Sequence, residues 1–138
     1  MKTEVWITLA VLSVNSIQDL RKREILLFPT AAAGAAGIFW QMLEVHRQVP
    51  ILFCDMLPGL LLICLSRATR GKLGAGDGLL VWTVGIWLGF FEILGILVWG
   101  FLLAGGAAIL ILILKSGKRE IPFIPFLLAA FLAERMFR

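Results

Sequence analysis

The sequence has no tyrosine, a single histidine and two cysteines. One histidine cannot build a metal site alone, and His46 sits in a short polar linker. Cys54 and Cys64 share one apolar stretch without the spacing of a zinc site, so both are expected to face lipid or core. No metal and no cofactor is expected. Charge is also scarce: 16% of the 138 residues are charged, against about 25% in soluble domains. A soluble domain of this length buries only about two-thirds of its unfolded surface and needs a polar coat. This composition cannot supply one. It also argues against disorder, a coiled coil and an ordinary cytosolic enzyme. What is present is apolar, with 60% hydrophobic residues and a mean hydropathy of +0.96. The chain therefore reads as an integral membrane protein whose first partner is the lipid bilayer. Its basic pI near 9.6 does not point to nucleic acid, because the basic residues lie in short clusters between apolar blocks. Membrane topology explains such clusters better.

Read between charges, the chain falls into six apolar blocks. They run from Val5 to Gln18, Ile25 to Leu43, Ile51 to Ser66, Gly78 to Phe91, Ile93 to Leu114, and Ile121 to Ala133, the last extendable to Phe137. The predicted fold is all-α: a polytopic integral membrane protein with six transmembrane helices, forming one domain over residues 1–138. The fifth block alone is long enough for a hydrocarbon core of about 30 Å. Shorter blocks can borrow flanking Lys and Arg, which snorkel, and can thin the bilayer locally. The first block has the length of a signal peptide but no strong small-x-small cleavage site, and further spans follow it; it reads as a retained span. The fourth and fifth blocks are separated only by Gly89 to Gly95, around Glu92. A tight turn is expected there, since one helix of about 38 residues is too long for a single crossing.

Small residues from Ala31 to Gly37 predict a face for close helix contact, and Gly105 with Gly106 predicts another. Pro58 and Gly59 are expected to bend the third helix. Pro122 is expected to start the last, with Pro125 in its first turn. Trp6, Trp82, Trp87 and Trp99 read as ordinary span residues, and Trp40 as an interface anchor.

Charge orients the spans. Placing Asp19 to Glu24 inside also places Ser66 to Gly76 and Lys115 to Glu120 inside. Nine basic residues then lie inside (Arg21, Lys22, Arg23, Arg67, Arg70, Lys72, Lys115, Lys118 and Arg119) and four outside (Lys2, Arg47, Arg135 and Arg138). That is the positive-inside pattern, with both termini outside.

Acids inside a bilayer are costly and mark candidate sites. Asp19 ends the first span and Asp77 opens the fourth, so the topology puts both at one depth on the inner face. Asp55 falls in the outer half of the third span and reads as a structural contact or a third polar one. Glu92 falls at the outer turn. Two carboxyls brought within a few ångströms cannot both ionise cheaply: one keeps a proton, and the pair titrates as a unit. The anion can take a proton from water as that water attacks a peptide carbonyl, and the acid can hydrogen-bond the carbonyl oxygen. Glycines at 74 and 76 would let a substrate strand approach Asp77 closely. The competing reading of Gly74-Ala75-Gly76-Asp77 is a glycine-rich loop ending in an acidic helix cap. It is not a phosphate loop, because the G-K-[ST] ending is missing.

These residues resemble the prepilin peptidase family, integral-membrane aspartic proteases of the G-x-G-D type. The motif is Gly74-Ala75-Gly76-Asp77. A second element is Asp19-Leu20-Arg21-Lys22-Arg23-Glu24-Ile25, which holds the first family acid. A third is the tail Ile121-Pro122-Phe123-Ile124-Pro125-Phe126-Leu127. Together they cover nearly the whole chain in the right order. The resemblance implies Asp19 and Asp77 as the catalytic pair, with Gly74 and Gly76 supporting the loop or the substrate. It implies cleavage of a short basic leader from type IV prepilin-like precursors at the inner face of a bacterial or archaeal cytoplasmic membrane. Pilus or secretion assembly components would be further partners. The small form resembles compact, peptidase-only members that lack the N-terminal cysteine-bearing segment, and no methyl transfer is expected.

Two positions depart from the family pattern: Leu26 stands where a proline is usual, and Leu79 where a lysine is frequent. They are the basis of a rival reading, a non-catalytic or degenerate membrane component of a pilus or secretion system. A small ion-coupled carrier is a third reading, but its acids would be expected near the midplane. A further expectation concerns the loop from Ser66 to Gly76, which could hold Asp77 away from Asp19 until substrate arrives.

Overall fold

The computed structural model describes residues 2–22, 27–44, 46–70, 75–114 and 123–137. Six helices lie among them: α1 (Lys2–Lys22), α2 (Leu27–Leu43), α3 (Val49–Ala68), α4 (Ala75–Leu88), α5 (Phe90–Ile113) and α6 (Ile124–Phe137). Each apolar block of the sequence has become one helix. Two of them, α3 and α5, are long and apolar enough to cross a bilayer by length and composition, and Gly76–Leu88 is a shorter apolar helix. Large apolar side chains such as Phe28, Phe39, Leu61, Phe91 and Leu112 stand exposed around the bundle. An apolar coat of that extent suits lipid rather than water.

The contacts show alternating helix directions. Along the α1–α2 seam, Gln41 Nε2 donates to Glu4 Oε1 (3.4 Å) near one end and Asn15 Nδ2 donates to Thr30 Oγ1 (3.1 Å) towards the other, so the two run antiparallel. Between α3 and α4, Gly85 meets Asp55, Gly59 meets Trp82 and Gly78 meets Ile63, again antiparallel. Between α2 and α4, Gly34 meets Trp82 and Gly37 meets Trp87, so these two are parallel. Between α5 and α6, Glu92 pairs with Arg135 at one end and Phe101 stacks near Phe123 at the other. This is an up-and-down bundle. The start of α4 and the end of α1 share one end, and Arg47, Asp55, Glu92 and Arg135 share the other.

The central helix is α4, which packs against α1, α2, α3 and α5. Its Leu80, Val81 and Val84 join Leu12 of α1, Ile93, Ile96 and Leu97 of α5, and Ile124, Leu127, Ala130 and Phe131 of α6 in one buried cluster. The small-residue face expected on α2 is present: Gly34 and Gly37 are buried against the rings of Trp82 and Trp87. Neither tryptophan is an ordinary span residue. Trp82 lies between Gly34 and Gly59, and Trp87 Nε1 donates to Ala33 O at 3.0 Å. The corresponding expectation for α5 fails. Among the described residues nothing lies within 4 Å of the side-chain direction of Gly105 or Gly106. That half of α5 faces outward.

The break between α4 and α5 falls at Gly89 alone, and Glu92 lies within the first turn of α5. Ile93 returns to 3.7 Å from the side-chain position of Gly85. In a continuous helix those residues would be about 12 Å apart along the axis. Gly89 has φ +100° and ψ 165°, a conformation essentially restricted to glycine. It also leaves α5 without a side-chain cap of its own. Asp55 of α3 provides one from outside: its Oδ1 accepts from Phe90 N at 2.7 Å. The acid is 1% exposed, and its Oδ2 lies 3.1 Å from Arg47 Nη2 without hydrogen-bonding geometry. Asp55 is thus a structural contact with a definite task, tying α3 and the α2–α3 link to the start of α5. Arg47→Ala would leave a buried carboxylate uncompensated. Chemical denaturation in detergent is expected to show a loss of about 3 kcal/mol, most of it recovered when Asp55→Asn is added. A loss below about 0.5 kcal/mol, the size of an ordinary surface change, would show that the pair carries no structural weight.

Candidate active site

Helix α1 continues past the apolar block through Asp19 to Lys22, which carries Asp19 into the same end of the bundle as the first turn of α4. Asp77 lies in that first turn, where the free N–H groups of the helix favour a negative charge. Both acids are partly buried. The end of α1 and the start of α4 therefore place the two acids at one end of the bundle. Asp19 has interactions of its own.

Of the glycines around Asp77, Gly76 is partly buried in the first turn of α4. Gly74 lies outside the described residues, as do Arg23, Glu24, Ile25, Leu26, Lys72, the segment Lys115 to Glu120, Ile121 and Pro122. Gly78, which sequence reading did not single out, has a clear packing reason. A Cβ there would stand 2.7 Å from Ile63 Cγ1 and 2.9 Å from Ile63 N. Its absence lets the start of α4 press against α3 and fixes the depth at which Asp77 enters the bundle. Leu79 is partly buried.

Beneath the acids lies a polar network that sequence reading also missed. Asn15, one turn before Asp19, is 2% exposed, and Thr30 and Thr83 are 1% and 0% exposed. Asn15 Nδ2 donates to Val11 O (2.9 Å) and to Thr30 Oγ1 (3.1 Å). Thr83 Oγ1 lies 3.1 Å from Thr30 O and 3.0 Å from Leu79 O. The helix of Asp19 is thereby tied through α2 to the helix of Asp77. Buried polar groups in an apolar body need such partners, and once paired they fix helix register. The available signal was a polar residue inside each apolar run. Among the described residues, no cluster of three or more His, Cys, Asp or Glu side chains forms a metal-binding group.

The model of the type IV leader peptidase family matches residues 6–133. The chain belongs to that family. It is accordingly a membrane-embedded, multi-helix member of a peptidase family, and the match reaches into all six described helices and includes both acids. No curated protein and no solved structure gives a match. Prepilin-like membrane proteins and the bilayer are the partners that the family context implies.

Proposed function

We propose that the chain is an intramembrane aspartic endopeptidase that removes the short basic leader from type IV prepilin-like precursors, with Asp19 and Asp77 as its catalytic pair. What supports this reading is that α1 and α4 carry the two acids to one end of the bundle in a chain of a peptidase family. One carboxylate takes a proton from water while the water oxygen bonds to the scissile carbonyl carbon. The protonated partner hydrogen-bonds the carbonyl oxygen as charge develops on it. Collapse breaks the C–N bond, and the acid-held proton goes to the leaving nitrogen. The products are a leader carboxylate and a new amino terminus, with one water consumed. Gly74 and Gly76 would leave room for the substrate backbone beside Asp77.

The six helices cross the membrane with both termini outside, and the two aspartates face the cytoplasm. The sequence supports this orientation, with nine basic residues in the segments Asp19 to Glu24, Ser66 to Gly76 and Lys115 to Glu120 against four elsewhere. The basic leader then stays in the cytoplasm while the apolar helix of the precursor enters the bundle laterally. The test is co-expression with pilin-like precursors of the same genome, with leader removal followed by intact mass. Wild type is expected to cut, and the mass gives the scissile bond. No cutting by inserted protein, alongside a homologous enzyme that cuts the same precursors, would favour the non-catalytic reading based on Leu26 and Leu79.

A further inference from the structure

We propose that the cavity at the end of the bundle opposite the aspartates binds a zwitterionic phospholipid, with its phosphate on Arg47. The cavity holds about 580 Å³ between the starts of α3 and α5 and the end of α4. That volume lies in the range of small-molecule sites. Ile51, Leu57, Leu88 and Phe91 form apolar walls, and Arg47, Asp55 and Glu92 bring charge to one region of it.

Three observations fix the chemistry of the occupant. The first is the unused capacity of Arg47. Its Nη2 contacts Asp55, at 3.4 Å from Oδ1 and 3.1 Å from Oδ2, and among the described residues its other guanidinium nitrogens make no hydrogen bond. The guanidinium is 28% exposed. A fork of free N–H donors suits a phosphate oxygen pair. The second is the mix of charge. Arg47 is matched by Asp55, and Glu92 by Arg135 at 2.8 Å. The lining itself carries one cation, Arg47, and two carboxylates, Asp55 and Glu92, with Arg135 outside it. A headgroup with both a phosphate and an ammonium meets Arg47 with one and the Glu92 side with the other, whereas a purely anionic headgroup meets two carboxylates as well. The third is position. Arg47 stands in the link between α2 and α3, at the level of the helix ends, while Ile51 and Leu57 are 44% and 45% exposed on the apolar coat. Headgroup depth and acyl depth therefore follow one another along the cavity wall.

The test uses the full chain, purified and delipidated in detergent, and titrated with phosphatidylethanolamine or phosphatidylglycerol under native mass spectrometry. One phosphatidylethanolamine is expected to be retained about tenfold more tightly than phosphatidylglycerol. The variant Arg47→Leu/Asp55→Asn, in which the amide oxygen can still accept from Phe90 N, is expected to lose about the same factor. Leu112→Ala, at an exposed position towards the other end of α5, is expected to retain it. A second readout needs no change at the charged pair. Cys54 lines the cavity, so in a Cys64→Ser background phosphatidylethanolamine is expected to slow its modification by maleimide. Equal retention of the two lipids would overturn the proposal. So would unchanged retention by the double variant, or protection of Cys54 by a precursor peptide but not by lipid.

Discussion

Replacing Asp77 with Asn is expected to slow leader removal by about a thousandfold while the protein stays inserted and folded, and Asp19→Asn is expected to do the same. The size follows from what Asn cannot do. It keeps the shape of the side chain but neither takes a proton from water nor supplies one to the leaving nitrogen. The double variant is the sharper case. If the acids act as one unit, losing the second adds little to losing the first, so the double variant should process about as slowly as either single variant. Independent roles would multiply the two losses. Purified enzyme, a fluorescent precursor peptide in mixed micelles and single-turnover rates would measure all four forms. Wild-type rates in both single variants would remove Asp19 and Asp77 from the chemistry. A loss in Asp77→Asn alone would make Asp77 catalytic without Asp19 as partner.

What the sequence made legible was whatever depends on position along the chain. The apolar blocks placed six helices, and alternation placed Asp19 and Asp77 at one end. Helix rotation was not legible, because it is decided by partners far away in sequence. Asn15, Thr30 and Thr83 each stand alone in an apolar run, and nothing local says that they converge. The two small-residue segments look alike in sequence, yet Gly34 and Gly37 meet tryptophan rings while Gly105 and Gly106 face outward. Asp55 read as a structural acid, but its partners, Arg47 and the start of α5, come from a link and a later helix. The turn around Glu92 was placed in the right region but too broadly. One glycine with positive φ suffices once a carboxylate from α3 caps the helix that follows.

The same contrast between glycines yields the largest expected effect on stability. Gly59→Ala would drive a Cβ into the backbone of Trp82, against its N and Cα as well as its Cβ. No rotamer change relieves a clash with backbone, so α3 and α4 must separate, and the cost is expected to reach about 3 kcal/mol or more. Gly85→Ala meets the carbonyl oxygen of Asp55 on the same seam and is expected to behave alike. Gly105→Ala meets nothing among the described residues and is expected to change stability by no more than about 0.5 kcal/mol. Thermal unfolding in one detergent, with folded yield by size exclusion, compares the three. The seam also positions chemistry, since Gly78 belongs to it and Asp77 is the residue before. A partly stable Gly59 variant should therefore lose cleavage rate more steeply than it loses folded protein. Full stability in Gly59→Ala would mean that α3 and α4 are not packed at this distance, and the depth assigned to Asp77 would fail with it.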